Sequence, residues 1–357
     1  MPDLVDWKLA EKVAVRATGR DPFADSYHYS SLGPDFSELT AEAEGRVADT
    51  TGLWPLSGPA RARVTDRPGW VRANLASFQR LLRPLTDRLG DRIGGGPMAP
   101  VARRLAAAEV GLMLGWMSSR VLGQYDLLVI EDERPDEQDL VYYVGPNVLG
   151  LEKRFSFPPR EFRLWLALHE TTHRAQFTGI PWMREHFLGL VTSVLGAVEP
   201  DPKRFFDALS RVANDLRNGR KPLDQGGLAA VFASPEQRVA LDQMSGLMSL
   251  LEGHGDVTMD RAGADKIPSA ERFNRVLRQR RQQTNPLIRL LQRLIGLEAK
   301  MKQYEQGERF IEQVEAAGGP ALLNRAWESS LLLPSIGEIR DPDAWVARIQ
   351  AIASQPV

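Results

Sequence analysis

The chain is organised around the segment Leu164–Phe177, whose sequence is LWLALHETTHRAQF. Leucine and aromatic residues recur in it at every third or fourth position, and Pro158 and Pro159 come just before it, so the pattern predicts an α-helix. Residues that are four positions apart lie on the same face of a helix. His169 and His173 can therefore present their imidazole rings to one metal ion.

Glu170 completes an H-E-x-x-H pattern with these two histidines. It lies about 100° further round the helix, close enough to act on a water molecule at the ion without binding the ion itself. Two imidazole ligands, a carboxylate base and an open metal position are typical of zinc hydrolases. Because the helix is apolar around the motif, we expect the two histidines to face an interior cleft.

A catalytic zinc ion needs a third protein ligand. One class of zinc peptidase takes it from a histidine ten residues after the first, but that position holds Gly179, which excludes the class. The other large class takes a glutamate from a separate downstream helix, and Glu252 is the candidate here. Apolar residues at helical spacing precede it and predict that its helix is buried: Met244, Leu247, Met248 and Leu251.

Asp256 lies four residues after Glu252, where its carboxylate could accept a hydrogen bond from the far nitrogen of a ligand histidine. Gly253 and Gly255 weaken a helix, so we expect them to permit close packing against the motif helix. Four other residues are weaker candidates for the third ligand: Glu185, His186, Glu199 and Asp260.

The composition of the chain excludes several kinds of site and partner. None of the 357 residues is cysteine, which excludes disulfides, thiolate zinc sites and a cysteine nucleophile. The formal net charge of -1 at pH 7 does not indicate nucleic acid or an anionic membrane as a partner. The N-terminal segment lacks the pattern of a signal peptide and no apolar run is long enough to span a membrane, so we expect a cytoplasmic protein. A solvated helix face explains one group of arginines better than a surface that binds nucleic acid or a membrane: Arg272, Arg275, Arg278, Arg280, Arg281, Arg289 and Arg293.

The fold class predicted is mainly α with a small β element. Residues 127–130 and 141–144 read as buried strands, whereas residues 55–68 read as a linker rich in Pro, Gly and Arg. The strand 141–144 is either the sheet edge that borders the cleft, where an extended peptide can bind, or part of a structural hairpin.

These motifs resemble the bacterial zincin-like metallopeptidase family, whose members are uncharacterised and in some cases labelled as associated with deazaflavin coenzyme biosynthesis. The resemblance covers nearly the whole chain and rests on five stretches: Arg120–Asp126, Leu168–Phe177, Pro181–Trp182, Leu251–His254 and Gln303–Phe310. It implies a zincin-like domain carrying the HExxH helix. We expect one domain over residues 1–357, with a helical N-terminal part (1–100), a metal-site core (101–260) and a helical C-terminal part (261–357).

The function predicted is that of a zinc-dependent peptidase acting on a peptide or protein substrate. His169, His173 and Glu252 would hold Zn²⁺, or another divalent ion that accepts nitrogen and oxygen ligands, and Glu170 would be the general base. Four residues are candidate donors to the oxyanion of the transition state: Tyr143, His254, Tyr304 and Arg309. The alternative is a non-catalytic, zinc-stabilised scaffold that binds a protein partner, which a fourth protein ligand such as His254 or Asp256 would favour.

Overall fold

The computed structural model describes residues 5–21, 23, 26–93, 99–127, 139–196, 235–282 and 297–354. Within these ranges, the side chains of residues 81–93, 196, 235–236, 280–282 and 297–305 are outside the description. The chain divides into two compact units, of which the first comprises Met1–Gly179 and Thr258–Phe273 and the second comprises Ile180–Val257 and Asn274–Val357. The single domain expected over residues 1–357 stays a prediction.

The described residues of the N-terminal stretch of the first unit form these helices: α1 (Trp7–Ala17), α2 (Tyr27–Thr51), α3 (Arg67–Ile93), α4 (Ala99–Ser118), α5 (Gly145–Phe155) and α6 (Pro159–Gly179). Its strands are β1 (Arg61–Thr65), β2 (Gly123–Tyr125) and β3 (Leu140–Val144). The prediction of a mainly helical fold with a small β element is confirmed. The HExxH motif lies in the middle of α6, so the helix predicted for it is confirmed as well.

The three strands form one sheet in the order β1-β3-β2. β1 runs parallel to β3 and pairs Arg61 with Leu140 and Thr65 with Val144. β2 runs antiparallel to β3, with Gly123 opposite Tyr143. All five residues of β3 are buried, as expected for a central strand that is covered on both faces.

The strand predicted at 141–144 is confirmed, and of the two interpretations offered for it the sheet edge is wrong, because β3 is the central strand. β1 pairs with its other side, and β1 comes from the stretch that was interpreted as a linker. The sequence of β1, RARVT, alternates polar and apolar residues, but it is only five residues long and contains just two apolar side chains, so the alternation is too short to mark a strand. Of the strand predicted at 127–130, Leu127 follows β2 without strand geometry and 128–130 lie outside the described residues.

Helix α2 forms the packing surface for the motif helix. Ser26 caps it by accepting a hydrogen bond from the backbone N–H of His28 at 3.3 Å. Residues at helical spacing make its buried face: Leu32, Phe36, Leu39, Ala43 and Val47. The spacing shows why this helix has one continuous apolar stripe, which packs against α6.

Arg174 ties the motif helix to the sheet. Its side chain is 1 % exposed and makes ion pairs with Glu44 of α2 and with Asp139, the residue before β3. The same guanidinium donates to the carbonyl oxygen of Gly58 at 2.7 Å. Because a buried guanidinium needs partners for its donors, these contacts fix α6 relative to both elements.

Two further helices cross the boundary between the units. They are α8 (Pro235–Gly263) and α9 (Ala270–Gln282). In the first unit, Gly263 of α8 lies beside Leu168 of α6. Arg272 of α9 is exposed, as expected for a solvated helix face, and it donates to the carbonyl oxygen of Phe155 at 2.5 Å and lies over the ring of Phe157.

The second unit contains α7 (Met183–Gly196), α10 (Leu297–Asn324), α11 (Ile336–Arg340) and α12 (Pro342–Ala353). It also contains α8 up to Val257 and α9 from Asn274. Helix α10 is kinked at Gly318 and Gly319. The indole N–H of Trp182 donates to the carbonyl oxygen of Trp327 at 3.1 Å, and that of Trp345 donates to Leu332 at 2.9 Å. A search of the described helices finds none with the length and apolarity needed to cross a bilayer.

Candidate metal centre

The two histidines of the motif point their Nε2 atoms at each other. These atoms lie 3.2 Å apart, and the ring planes are inclined at 86°. With zinc–nitrogen bonds of about 2.0–2.1 Å and a tetrahedral angle, two ligand nitrogens lie about 3.3–3.4 Å apart. The separation of the two Nε2 atoms therefore fits a shared tetrahedral ion.

A carboxylate joins the two rings. One ligand atom each from His169, His173 and Glu252 lie within 4.8 Å of one another. Glu252 is only 5 % exposed, and a carboxylate buried to this extent needs a cation or hydrogen-bond donors. Within the described ranges, this is the one group of three or more His, Asp or Glu residues with such close ligand atoms. Two imidazoles with one carboxylate is a donor set used by catalytic zinc sites.

Next to Glu252, helix α8 crosses helix α10 at close range within the second unit. A Cβ atom on Gly253 would lie 2.3 Å from the backbone carbon of Gly307 in α10, so glycine is required there. The sequence predicted that Gly253 would admit the motif helix, but the closest atoms belong to α10. The crossing places the Gln303–Phe310 stretch of α10 beside the Leu251–His254 stretch of α8.

Glu170 lies against strand β2. The backbone N–H of Tyr125 donates to its carboxylate at 3.1 Å, and a Cβ atom on Gly123 would lie 2.7 Å from the same carboxylate. The Glu170 side chain is 7 % exposed. The strand thus holds the carboxylate in one orientation, and only glycine at position 123 leaves room for it.

The position of β2 is itself fixed by a chain of side-chain hydrogen bonds. The amide oxygen of Gln124 accepts from the indole N–H of Trp70 at 2.9 Å, and its amide nitrogen donates to Asn74 at 3.0 Å. Both partners lie on α3, and Asn74 donates back to the carbonyl oxygen of Trp70 at 2.9 Å. A short strand would otherwise have little to hold it, since it pairs with β3 through three residues.

Comparison with known proteins supports the expected resemblance to zincin-like metallopeptidases. The sequence profile described as "Zincin-like metallopeptidase" matches residues 5–346. The chain belongs to this family. It is also similar to a solved structure from Chloroflexus aurantiacus that is described as a presumed hydrolase with a novel fold: the two share 30% identity and a TM-score of 0.72, over 97% of this chain and 99% of that one. A search of curated proteins gave no match.

Gln176 is a contact of this zincin-like site that the sequence interpretation missed. Its amide oxygen lies 3.0 Å from Nδ1 of His173, and its side chain is fully buried. A signal was present, because Gln176 follows His173 by three residues and such pairs are neighbours on a helix. The contacts of Gly123 and Tyr125 with Glu170 were also missed, although both residues lie in the Arg120–Asp126 stretch on which the resemblance rested.

Tyr143, a candidate oxyanion donor, lies in the core of the first unit. Its hydroxyl shares a 2.8 Å hydrogen bond with Thr40, and its ring stacks on Phe36 with the centroids 3.8 Å apart. Burial raises the pKa of Tyr143 far above its ordinary value, the hydrogen bond with Thr40 opposes this, and the charge of Glu170 adds to it. The phenol is therefore neutral.

The other candidate donors lie on helices of the second unit. The His254 ring meets the Trp327 ring edge-on at 5.1 Å. Arg309 is exposed and donates to the carbonyl oxygen of Arg340 at 3.2 Å. Tyr304 lies in α10, but its side chain is outside the described residues. Their roles as donors stay predictions.

The remaining candidates concern the ligand set. Asp256 is half-buried, one turn after Glu252 on α8, and its role as a partner of a ligand histidine stays a prediction. The group within the described residues contains Glu252, not Glu185, His186 or Asp260, and Glu199 lies outside those residues. Burial lowers the pKa of His186, whose ring lies 5.9 Å from that of Trp182.

Proposed function

We propose that this zincin-like protein is a zinc-dependent peptidase in which His169, His173 and Glu252 hold Zn²⁺ and Glu170 is the general base. The observation that carries the proposal is the convergence of two imidazoles and one buried carboxylate within 4.8 Å. Family membership and the similarity to a presumed hydrolase support the hydrolytic part of the proposal.

The chemistry follows from the residues at the site. A zinc ion bound there would lower the pKa of a water ligand and polarise the substrate carbonyl. Glu170 takes a proton from the attacking water as the water oxygen bonds to the carbonyl carbon of the substrate. It then gives the proton to the amine as the carbon–nitrogen bond breaks. The N–H of Tyr125 keeps the carboxylate oriented during both transfers.

Strand β2 supports a peptide as the substrate. The residues on either side of β2 make the backbone hydrogen bonds to β3. The N–H of Val144 donates to the carbonyl oxygen of Leu122 at 2.8 Å, and the N–H of Asp126 donates to the carbonyl oxygen of Leu140 at 3.0 Å. In an antiparallel ladder, the backbone groups of Gly123 and Tyr125 therefore point away from β3. That is the side on which Glu170 lies and on which the Tyr125 N–H already bonds to it, so an extended peptide that added to this edge through Gly123 would lie next to the Glu170 carboxylate. This role moves from the predicted strand 141–144 to β2.

The alternative of a zinc-stabilised scaffold requires a closed set of four protein ligands. The group of ligand atoms in the described part of the chain has three members, which leaves one position of a tetrahedral ion for water or substrate. This count favours the peptidase.

Replacing Glu170 with glutamine tests the proposal. We expect the full-length wild type to cleave peptides in a protein digest, read as new termini by mass spectrometry, and Glu170→Gln to cleave them about 100- to 10,000-fold more slowly. The variant should keep its zinc, because Glu170 is not a ligand. Glu271→Gln, the same change at an exposed site of α9, is the matched control. Cleavage by Glu170→Gln at the wild-type rate would refute the assigned base. Zinc binding without any cleavage by the wild type would favour the scaffold.

A further inference from the structure

We propose that Gln176 is a positioning residue, which holds His173 in the tautomer and orientation that bind the metal ion. The inference rests on the proposed metal site and adds a residue to it. Its basis is the 3.0 Å contact between the amide oxygen of Gln176 and Nδ1 of His173.

The contact determines which ring nitrogen carries the proton. A neutral imidazole has one N–H and one lone pair, and an amide oxygen can only accept a hydrogen bond. The proton therefore lies on Nδ1, between the ring and Gln176, and the lone pair lies on Nε2. Nε2 is the atom that lies 3.2 Å from the Nε2 of His169. The hydrogen bond thus directs the lone pair of His173 towards the site.

The surroundings of Gln176 make this contact specific. Its side chain is fully buried, and a buried amide is costly unless it is hydrogen-bonded. Because residues i and i+3 of a helix are neighbours, α6 supplies both the ligand and its partner, so the contact does not depend on another element of the fold. An amide also orients the ring without adding a negative charge beside it, unlike the carboxylate partner expected at Asp256.

The test compares zinc affinities of full-length variants by competition with a chromogenic chelator. Gln176→Met keeps the length of the side chain but removes the strong acceptor, and we expect zinc affinity about 10- to 100-fold weaker. Gln176→Glu keeps an acceptor at this position, so this variant should bind zinc with nearly wild-type affinity. Thr171→Val is the matched control: it removes another buried polar group from α6, one that bonds to the carbonyl oxygen of Ala167.

A second readout reports the tautomer directly. In metal-free wild type, long-range ¹H–¹⁵N spectra should show His173 protonated at Nδ1, whereas Gln176→Met should show a mixture of tautomers. Circular dichroism establishes that each variant is folded. Wild-type zinc affinity in Gln176→Met, or an unchanged tautomer, would overturn the inference. A wild type that binds no zinc would refute the proposed function and, with it, this inference.

Discussion

Tyr143 is a buried residue whose hydroxyl already has a partner. The hydroxyl shares its hydrogen bond with Thr40, which is also fully buried, and its ring stacks on Phe36. A group that donates to a transition state must be able to turn towards the substrate. The contacts of Tyr143 hold it in the core, and its burial there raises its pKa.

We therefore expect Tyr143→Phe to change stability and leave catalysis intact. The substitution leaves the Thr40 hydroxyl buried without this partner, which should lower the free energy of unfolding by about 1–2 kcal/mol in urea denaturation. Cleavage and zinc affinity should stay within a few-fold of wild type. The double variant Thr40→Val/Tyr143→Phe should cost less than the sum of the single variants. A large loss of cleavage with unchanged stability would instead assign the phenol to the transition state.

At the scale of single residues, the sequence predicts the groups that recur at fixed spacing. His169, Glu170 and His173 follow from helical geometry, and Glu252 follows from the apolar pattern before it. Contacts made across long sequence separations are not accessible in this way. The hydrogen bond from Tyr125 to Glu170 joins residues 45 apart, and only the folded sheet brings them together.

Strand β2 is the element that most directly restrains the carboxylate of Glu170, the proposed base. It is three residues long, it is held by β3 and by the Gln124 contacts with α3, and it lies against α6. Because the atoms nearest to a Cβ at position 123 belong to the end of the flexible Glu170 side chain, a larger residue would displace that side chain before it disturbed the backbone.

Gly123→Ala should accordingly slow cleavage and leave the fold intact. We expect a loss of about 100-fold in kcat/KM, as for a small misplacement of a catalytic group, with zinc affinity unchanged and less than about 1 kcal/mol lost in stability. The control is Gly150→Ala in α5, where a Cβ would make an ordinary contact with Phe23 at 3.8 Å. Equal cleavage by wild type and Gly123→Ala would show that β2 does not restrain the base.

The elements also show where a sequence pattern is ambiguous. A helix with a continuous apolar stripe, such as α6, is predictable because its period is sustained over many residues. β1 is polar and short, and its strand geometry comes from pairing with β3 rather than from its own composition. Missing β1 made β3 look like a possible edge, which is why a sheet edge was one of the two interpretations of residues 141–144.

For the whole molecule, the resemblance to the zincin-like metallopeptidase family is confirmed over residues 5–346. The motif helix and the mainly helical pattern made this recognisable, because helical periodicity and an HExxH spacing are local properties. The assembly of two compact units from separated stretches is a property of tertiary packing. It leaves no local pattern in the sequence.

The central claim is that His169, His173 and Glu252 bind one metal ion together. The most direct test is a zinc titration of the full-length wild type beside His173→Ala, Glu252→Ala and the exposed control Glu271→Ala. We predict one zinc per chain for wild type and control, with affinity more than about 100-fold weaker for both ligand variants, since a lost ligand costs more than a lost partner of a ligand. Wild-type affinity in Glu252→Ala would contradict the claim.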